Sequence, residues 1–448
     1  MDKKSGQTIF AVVTSLLLLA FIIFLSVSKS PLQLLPLIFV LAPIVFIITF
    51  INTDVALIIL IFSMLLSPEL KIAEVPARAV VVRIDDILLF VVFFSWLAKT
   101  AINKELGLLR RTPLNPLIIA YILICILSTG IGILTGHIQP LKSFFYILKY
   151  VEYFMLFFLV TNNIRDKKQL KTFIVAFLIT CAIICAYTTT QIGVLGRTTA
   201  PFEGTVGEAN TLGGYLVFLF AVCIGLFLYS PLPTWRFCSA ALACFIIPPL
   251  LFTLSRGSYL AFIFMYLTVI VLTRKKRLLL IGILILGIFI IPAILPNRVT
   301  ERITATFIPG RVYSLLGTRI ALDDSAATRV ESWKWVLEKW KSRPFLGYGV
   351  TGVGLVDTQY PRVLGETGIV GFWIFIWLII TIFRCGLRTF IDIKDDWARG
   401  LTLGFLAGFI GLLIHSFSAN TFIIVRIMEP FWFLAAAVMM LPRLQKAK

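Results

Sequence analysis

Charge and histidine are scarce in this chain. Of its 448 residues only 14% are charged while 59% are hydrophobic, and a mean hydropathy of +0.98 lies outside the range of soluble domains. The two histidines, His137 and His415, leave imidazole chemistry few possible homes. The cysteines (Cys125, Cys181, Cys185, Cys223, Cys238, Cys244 and Cys385) lie in or beside apolar runs without metal-ligand spacing. They read as small core residues, not as disulfides or ligands. No set of His, Cys, Asp and Glu has convincing metal spacing, and Asp323-Asp324 has a simpler use as a helix cap. Neither a metal nor another cofactor is therefore expected. Internal repeats and low-complexity linkers are also missing, which leaves one integral domain with an inserted extramembrane part.

What the chain has instead is hydrocarbon-compatible sequence. Runs long enough to cross about 30 Å of hydrocarbon occur at 9–27, 32–51, 84–100, 116–136, 142–161, 171–192, 211–230, 236–254, 257–273, 278–295, 367–386, 399–417 and 421–442. The shorter run 55–66 spans, re-enters or lies flat. The expectation is an all-α polytopic helical membrane protein with about 12 to 14 transmembrane helices. Its parts are N-terminal transmembrane helices over 1–296, a large outer loop carrying amphipathic helices over 297–364, and C-terminal transmembrane helices over 365–448.

Orientation follows from the short basic loops. Clusters stand at Lys3-Lys4, at Lys104 with Arg110-Arg111, at Arg165 with Lys167-Lys168, and from Arg274 to Arg277; others are Arg384 with Arg388 and Arg443 with Lys446 and Lys448. If 55–66 spans, all fall on one side and both termini are cytoplasmic. Segments 67–83, 137–140, 193–210, 255–257 and 297–362 then face outward. The long loop is itself basic, but loops of about 60 residues or more translocate largely regardless of charge. The same clusters account for most of the +19 net charge, so nucleic acid is not an expected partner. Lys3-Lys4 before an apolar run resembles a signal peptide, yet the run's length and the spans that follow favour a retained anchor.

The longest polar excursion runs from Asn297 to Arg362. Within it, Thr328 and Glu331 have capping-box spacing, with Asp324 and Ser325 as rival N-caps. Val330, Trp333, Leu337 and Trp340 share one face, which predicts an amphipathic interfacial helix ending at Pro344. Gly347, Gly349, Gly352 and Gly354 then break the chain into a loop descending to Asp357. Of the lesser outer loops, 67–83 ends in Ala79-Val80-Val81-Val82-Arg83, a short strand or extended edge; 193–210 is rich in turn formers.

A charge in a spanning helix costs about 2.5–3.5 kcal/mol on insertion scales, so misplaced charges carry information. Arg256 lies between two apolar runs in Thr253-Leu-Ser-Arg-Gly-Ser-Tyr-Leu-Ala-Phe262. It is either a snorkelling arginine at a helix end or an anion site, since guanidinium makes bidentate bonds to phosphate oxygens and Gly257 admits close approach. Arg197, Arg311, Arg319 and Arg362 are each more often solvated loop charges; together with Arg256 they can line an electropositive cavity suited to a diphosphate. Asp357 is a candidate general base or orienting group. Glu366 divides evenly between catalysis and favourable contact with a helix N-terminus. His415 more often bonds a neighbouring helix than takes protons. Glu203, Glu208 and Asn210 can hold an acceptor or position an arginine.

Three stretches carry a family resemblance: Gly207-Glu-Ala-Asn-Thr-Leu-Gly213 leading into a span, Ser255-Arg-Gly-Ser-Tyr-Leu260, and the run from Arg329 to Gly371. In order and sidedness they resemble the bacterial O-antigen ligase and O-antigen polymerase superfamily, membrane glycosyltransferases of the GT-C type. The last stretch is similar to the family's pattern of Arg, a Trp-containing helix, Pro-hydrophobic-Leu-Gly-x-Gly, a turn with Tyr, and Glu-x-Gly-x-x-Gly. This adds Arg329 and Tyr360 to the candidate substrate-binding residues. The resemblance implies metal-independent, inverting transfer of a glycan from an undecaprenyl-diphosphate carrier to a sugar hydroxyl at the outer face of the cytoplasmic membrane. Family ligases look to use Arg-x-x-x-Leu, matched by Arg256 to Leu260, and a histidine near the return of the long loop. Here Asp357 stands nearest that position and the loop holds no histidine, so the resemblance leans toward a polymerase, with a ligase as the alternative. A lipid-linked sugar transporter is the rival of another class; against it stand the one-sided loop and the lack of visible pseudo-symmetry.

Overall fold

Backbone polar groups in hydrocarbon must be satisfied within their own segment, and helices do this without partners. The computed structural model describes residues 35–75, 78–102, 110–202, 207–294, 297–304, 311–315, 318–322, 324–354 and 356–446. Helices α1 (Leu35–Ile51) and α2 (Thr53–Leu66) precede the antiparallel hairpin β1 (Glu69–Val75) and β2 (Arg78–Arg83). Then follow α3 (Ile84–Ile102), α4 (Asn115–Leu134), α5 (Pro140–Asn163), α6 (Lys167–Gln191), α7 (Ala209–Tyr229), α8 (Pro233–Phe252), α9 (Arg256–Leu272) and α10 (Arg277–Ile294). The long loop contributes α11 (Asn297–Thr304), a second hairpin of β3 (Arg311–Leu315) and β4 (Thr318–Leu322), and α12 (Asp324–Lys341). The chain closes with α13 (Gln359–Asp392), α14 (Asp396–His415), a 3-10 turn (Thr421–Ile423) and α15 (Val425–Lys446).

Eight described helices (α4 to α8 and α13 to α15) are long and apolar enough to cross a membrane, and four shorter apolar helices accompany them. The chain is a multi-pass helical membrane protein. The run 9–27 lies outside the described residues. Segment 55–66 falls within α2, which starts where Gln169 donates to Asp54 at 2.7 Å and ends where the Ser67 hydroxyl donates to Asp85 at 2.5 Å. Fourteen residues rise about 21 Å, so α2 crosses much of the bundle. At its starting end the basic segments gather: Lys167 pairs with Asp395, Lys275 with Asp396 at 3.1 Å, and Arg443 donates to the Arg111 carbonyl at 2.7 Å. The core is strongly aromatic, with Phe431 ringed by Phe405, Phe409 and Phe422 at centroid separations of 5.2–6.1 Å.

Three details depart from the sequence expectation. The strand expected at 79–83 has a partner, with Glu69 opposite Arg83, and the β3–β4 hairpin was not foreseen. In helix α12 the inward face is rotated: Ala327 and Val336 are fully buried, whereas Leu337 is 41% exposed. Val336 packs with Val353 and Val356, because the glycine loop folds back beneath the helix. Finally, α13 begins before Gly365 and breaks at Gly368, whose φ is 65°. Into that break runs the segment 344–349. Ile369 and Val370 donate to the Pro344 and Phe345 carbonyls at 2.8 and 3.3 Å, while Tyr348 and Gly349 donate to those of Gly365 and Glu366 at 3.0 and 2.8 Å. The two glycine-rich motifs thus supply each other's missing backbone partners.

Candidate functional site

The site is built where α8 gives way to α9. Pro248-Pro249 stand near the end of α8, and Leu254 turns the chain at φ 50°, a left-handed conformation costly for a leucine. Ser255 then caps α9, accepting from the Ser258 amide at 3.3 Å, so Arg256 is the first helical residue. A cation at a helix N-terminus opposes the macrodipole, whereas an anion there meets both free amides and guanidinium. The Ser255 hydroxyl also donates to Asn210 at 2.7 Å, which docks the start of α7 against the start of α9. Glu208 is the N-cap residue of α7. Arg197 donates from Nε to the Thr253 carbonyl at 2.8 Å, and Arg302 of α11 reaches the Leu254 carbonyl at 3.4 Å. Partial burial, followed by the guanidiniums of Arg302 and Arg256, lowers the pKa of Arg197 below its ordinary value. Three arginines thus crowd one kink.

The wall opposite is the turn after α14. A Cβ added at Gly257 would stand 1.8 Å from Ser418 Oγ and 3.9 Å from His415 Cδ2, so only glycine lets α9 approach this turn. His415 is fully buried; its Nδ1 lies 2.8 Å from Thr421 Oγ1, and its Nε2 has no hydrogen-bond partner among the described residues. From the other side the start of α13 grips the same turn. The Gln359 amide donates to Ser416 O at 3.1 Å, Gln359 Oε1 accepts from Phe422 N at 3.1 Å, and Asn420 donates to the Val356 carbonyl. Exposed Asp357 sits between these anchors. Arg329 on α12 lies within electrostatic reach of His415, and Trp333 stacks on Phe417 at 6.2 Å. Thr358 Oγ1, Gln359 Nε2 and Asn420 Oδ1 join His415 Nε2 as buried polar atoms without a described partner. Such atoms are costly unless water or a ligand satisfies them.

Arg197, Glu208, Asn210, Arg256, Arg329, Asp357 and His415 therefore converge on one end of the bundle. Glu366 and Arg362, candidates for catalytic and binding roles, engage each other and the glycine loop. They form a buried ion pair at 3.0 Å, and Glu366 Oε1 also accepts from the Thr351 amide at 2.8 Å. The Glu366 carbonyl accepts from the Ser128 hydroxyl at 2.6 Å. A carboxylate so engaged clamps the glycine loop to α13. Tyr360 likewise spends its hydroxyl on the Leu413 carbonyl at 2.7 Å and packs its ring on Phe417 at 4.6 Å. Arg311 and Arg319 lie on β3 and β4, described by their backbone alone; Glu203 lies outside the described residues. Sequence reasoning missed Arg302, although its placement in a short polar helix directly after an apolar run was visible.

Residues 240–376 match a family model described as O-antigen ligase, a stretch running from α8 past the break in α13. No curated protein matches the chain. Members of that family are glycosyltransferase-like enzymes acting on lipid-linked glycans. The matched stretch contains Arg256, Arg329, Asp357 and the clamp at Glu366, and over it the chain is similar to the O-antigen ligase family.

Proposed function

We propose that the protein transfers a glycan from an undecaprenyl-diphosphate carrier to a sugar hydroxyl at the outer face of the cytoplasmic membrane, as a polymerase of surface polysaccharide. The observation that supports this reading is the approach to one turn of the residues beside Arg256 and Asp357: Gly257 from α9 on one side, and Val356 and Gln359 at the start of α13 on the other. In the reaction the acceptor oxygen forms a bond to the anomeric carbon while the bond from that carbon to the phosphate oxygen breaks. The configuration inverts. Diphosphate leaves as an anion, and fixed positive charge at Arg256, with Arg197 and Arg302 behind it, stabilises what develops at the bridging oxygen. The hydroxyl proton passes to Asp357. The unpartnered polar atoms around His415 offer hydrogen bonds to a hydroxylated ligand.

A ligase, moving finished polymer to another acceptor, is the second reading, favoured by the description of the matching family model. Deleting the gene separates the two. Loss of a polymerase leaves single repeat units on the carrier, whereas loss of a ligase leaves long carrier-linked chains. Unchanged lipid-linked glycans would remove both readings.

A further inference from the structure

Away from the arginine kink, a second set of charges is buried where β2 meets α3. It comprises Arg83, Asp85 and Asp86 from that junction, Glu152 from α5, and Arg426 and Glu429 from α15; each is at most 8% exposed. Half-buried Lys149 stands at its margin, near Asp86. Arg83 Nη2 lies 2.6 Å from Asp85, 3.4 Å from Asp86 and 3.6 Å from Glu429. Asp85 also accepts from the Ser67 hydroxyl at 2.5 Å, and Asp86 from the Arg83 amide at 2.9 Å. Each aspartate thus accepts a hydrogen bond and lies against the Arg83 guanidinium, which favours its ionised form.

The glutamates are less well served, Glu429 having only the most distant of the Arg83 contacts, at 3.6 Å. Glu152 has Asp86, and Glu429 has Asp85, as its nearest negative electrostatic neighbour, and two carboxylates have no proton to share. Glu152 Oε1 accepts no hydrogen bond from any described residue. Charge balance agrees with this. Arg83 and Arg426 offset Asp85 and Asp86, so ionising both glutamates would leave two excess negative charges buried, with only Lys149 at the edge. We propose that Glu152 and Glu429 are neutral carboxylic acids donating to Asp86 and Asp85, and that these two protons close a latch between the β1–β2 hairpin, α5 and α15.

The latch bears on the site through α15. Arg426 donates to the carbonyls of Leu65, Pro201 and Phe202 at 3.2, 2.7 and 3.0 Å. A single residue separates α15 from the 3-10 turn whose Thr421 and Phe422 meet His415 and Gln359. Raising the pH removes one proton from each pair and sets two carboxylates against each other, so the stability carried by the protons is present at neutral and lower pH and lost as pH rises.

The test uses the full-length purified protein. Infrared spectra at about pH 7 should show a protonated-carboxyl C=O band that weakens in Glu152→Gln and again in Glu429→Gln. Thermal unfolding of the wild type should fall in midpoint as the pH is raised from about 7 to about 10. The double Gln variant, a neutral isostere of the proposed state, should fold and lose most of that dependence. A band untouched by both substitutions, equal alkaline sensitivity in wild type and double variant, or Gln variants that fail to fold would each overturn the proposal.

Discussion

Arg256 and Glu366 show how the same residue classes take opposite duties. Arg256 heads a helix where its charge opposes the dipole, while Glu366 is enclosed by Arg362 and the Thr351 amide. Glu366→Ala should leave a buried guanidinium unpaired and cost about 3–5 kcal/mol. A thermal unfolding midpoint unchanged from wild type would contradict the clamp. Asp357 is exposed and grouped with the arginines, so Asp357→Asn should lower transfer by about 10²–10⁴-fold with little change in stability, if it accepts the hydroxyl proton. Transfer at the wild-type rate would remove it as the base. Arg256 was legible in the sequence because a lone arginine between apolar runs is conspicuous. The role of Glu366 was not, since its partner Thr351 lies across a loop whose path only tertiary folding fixes. Glu152, Arg426 and Glu429 were readable in principle, as charges inside apolar runs.

At the scale of elements, the break in α13 is where the glycine loop is held. Gly368 adopts φ 65°, and a Cβ there would lie 2.2 Å from the Phe345 carbonyl oxygen. Gly368→Ala should therefore cost about 2 kcal/mol or more, from left-handed strain alone plus displacement of the loop. Limited proteolysis should find the 344–354 loop cleaved faster in that variant; an unchanged pattern would argue against the pairing. The length of apolar runs made most helices legible to within a few residues, because lipid leaves a spanning segment little choice. It gave no sign that Pro344–Gly349 would pair with Gly365–Val370, a contact between two irregular segments. Nor did it reveal β3–β4, although two residues, one a glycine, separating segments rich in β-branched and aromatic residues are a hairpin signal. The rotation of α12 was hidden for a similar reason: Val336 faces inward because the glycine loop is there to meet it.

Over the whole molecule, helix ends alternate so that basic residues gather at one end and the arginine kink, Asp357 and the carboxyl latch at the other. Under the proposed function the kink lies on the outer side, as the positive-inside rule would have it. A cysteine at Asp357 should react with a membrane-impermeant thiol reagent applied to intact cells, while one at Lys275 should react only after the membrane is breached; the reverse would invert the topology. The central claim is that positive charge at Arg256 stabilises a departing diphosphate. Its most direct test is the transfer rate of Arg256→Ala, purified and reconstituted in liposomes with an undecaprenyl-diphosphate-linked glycan, against wild type of equal thermal stability. The account predicts a loss of about 10²–10³-fold or more, and transfer at the wild-type rate would contradict it.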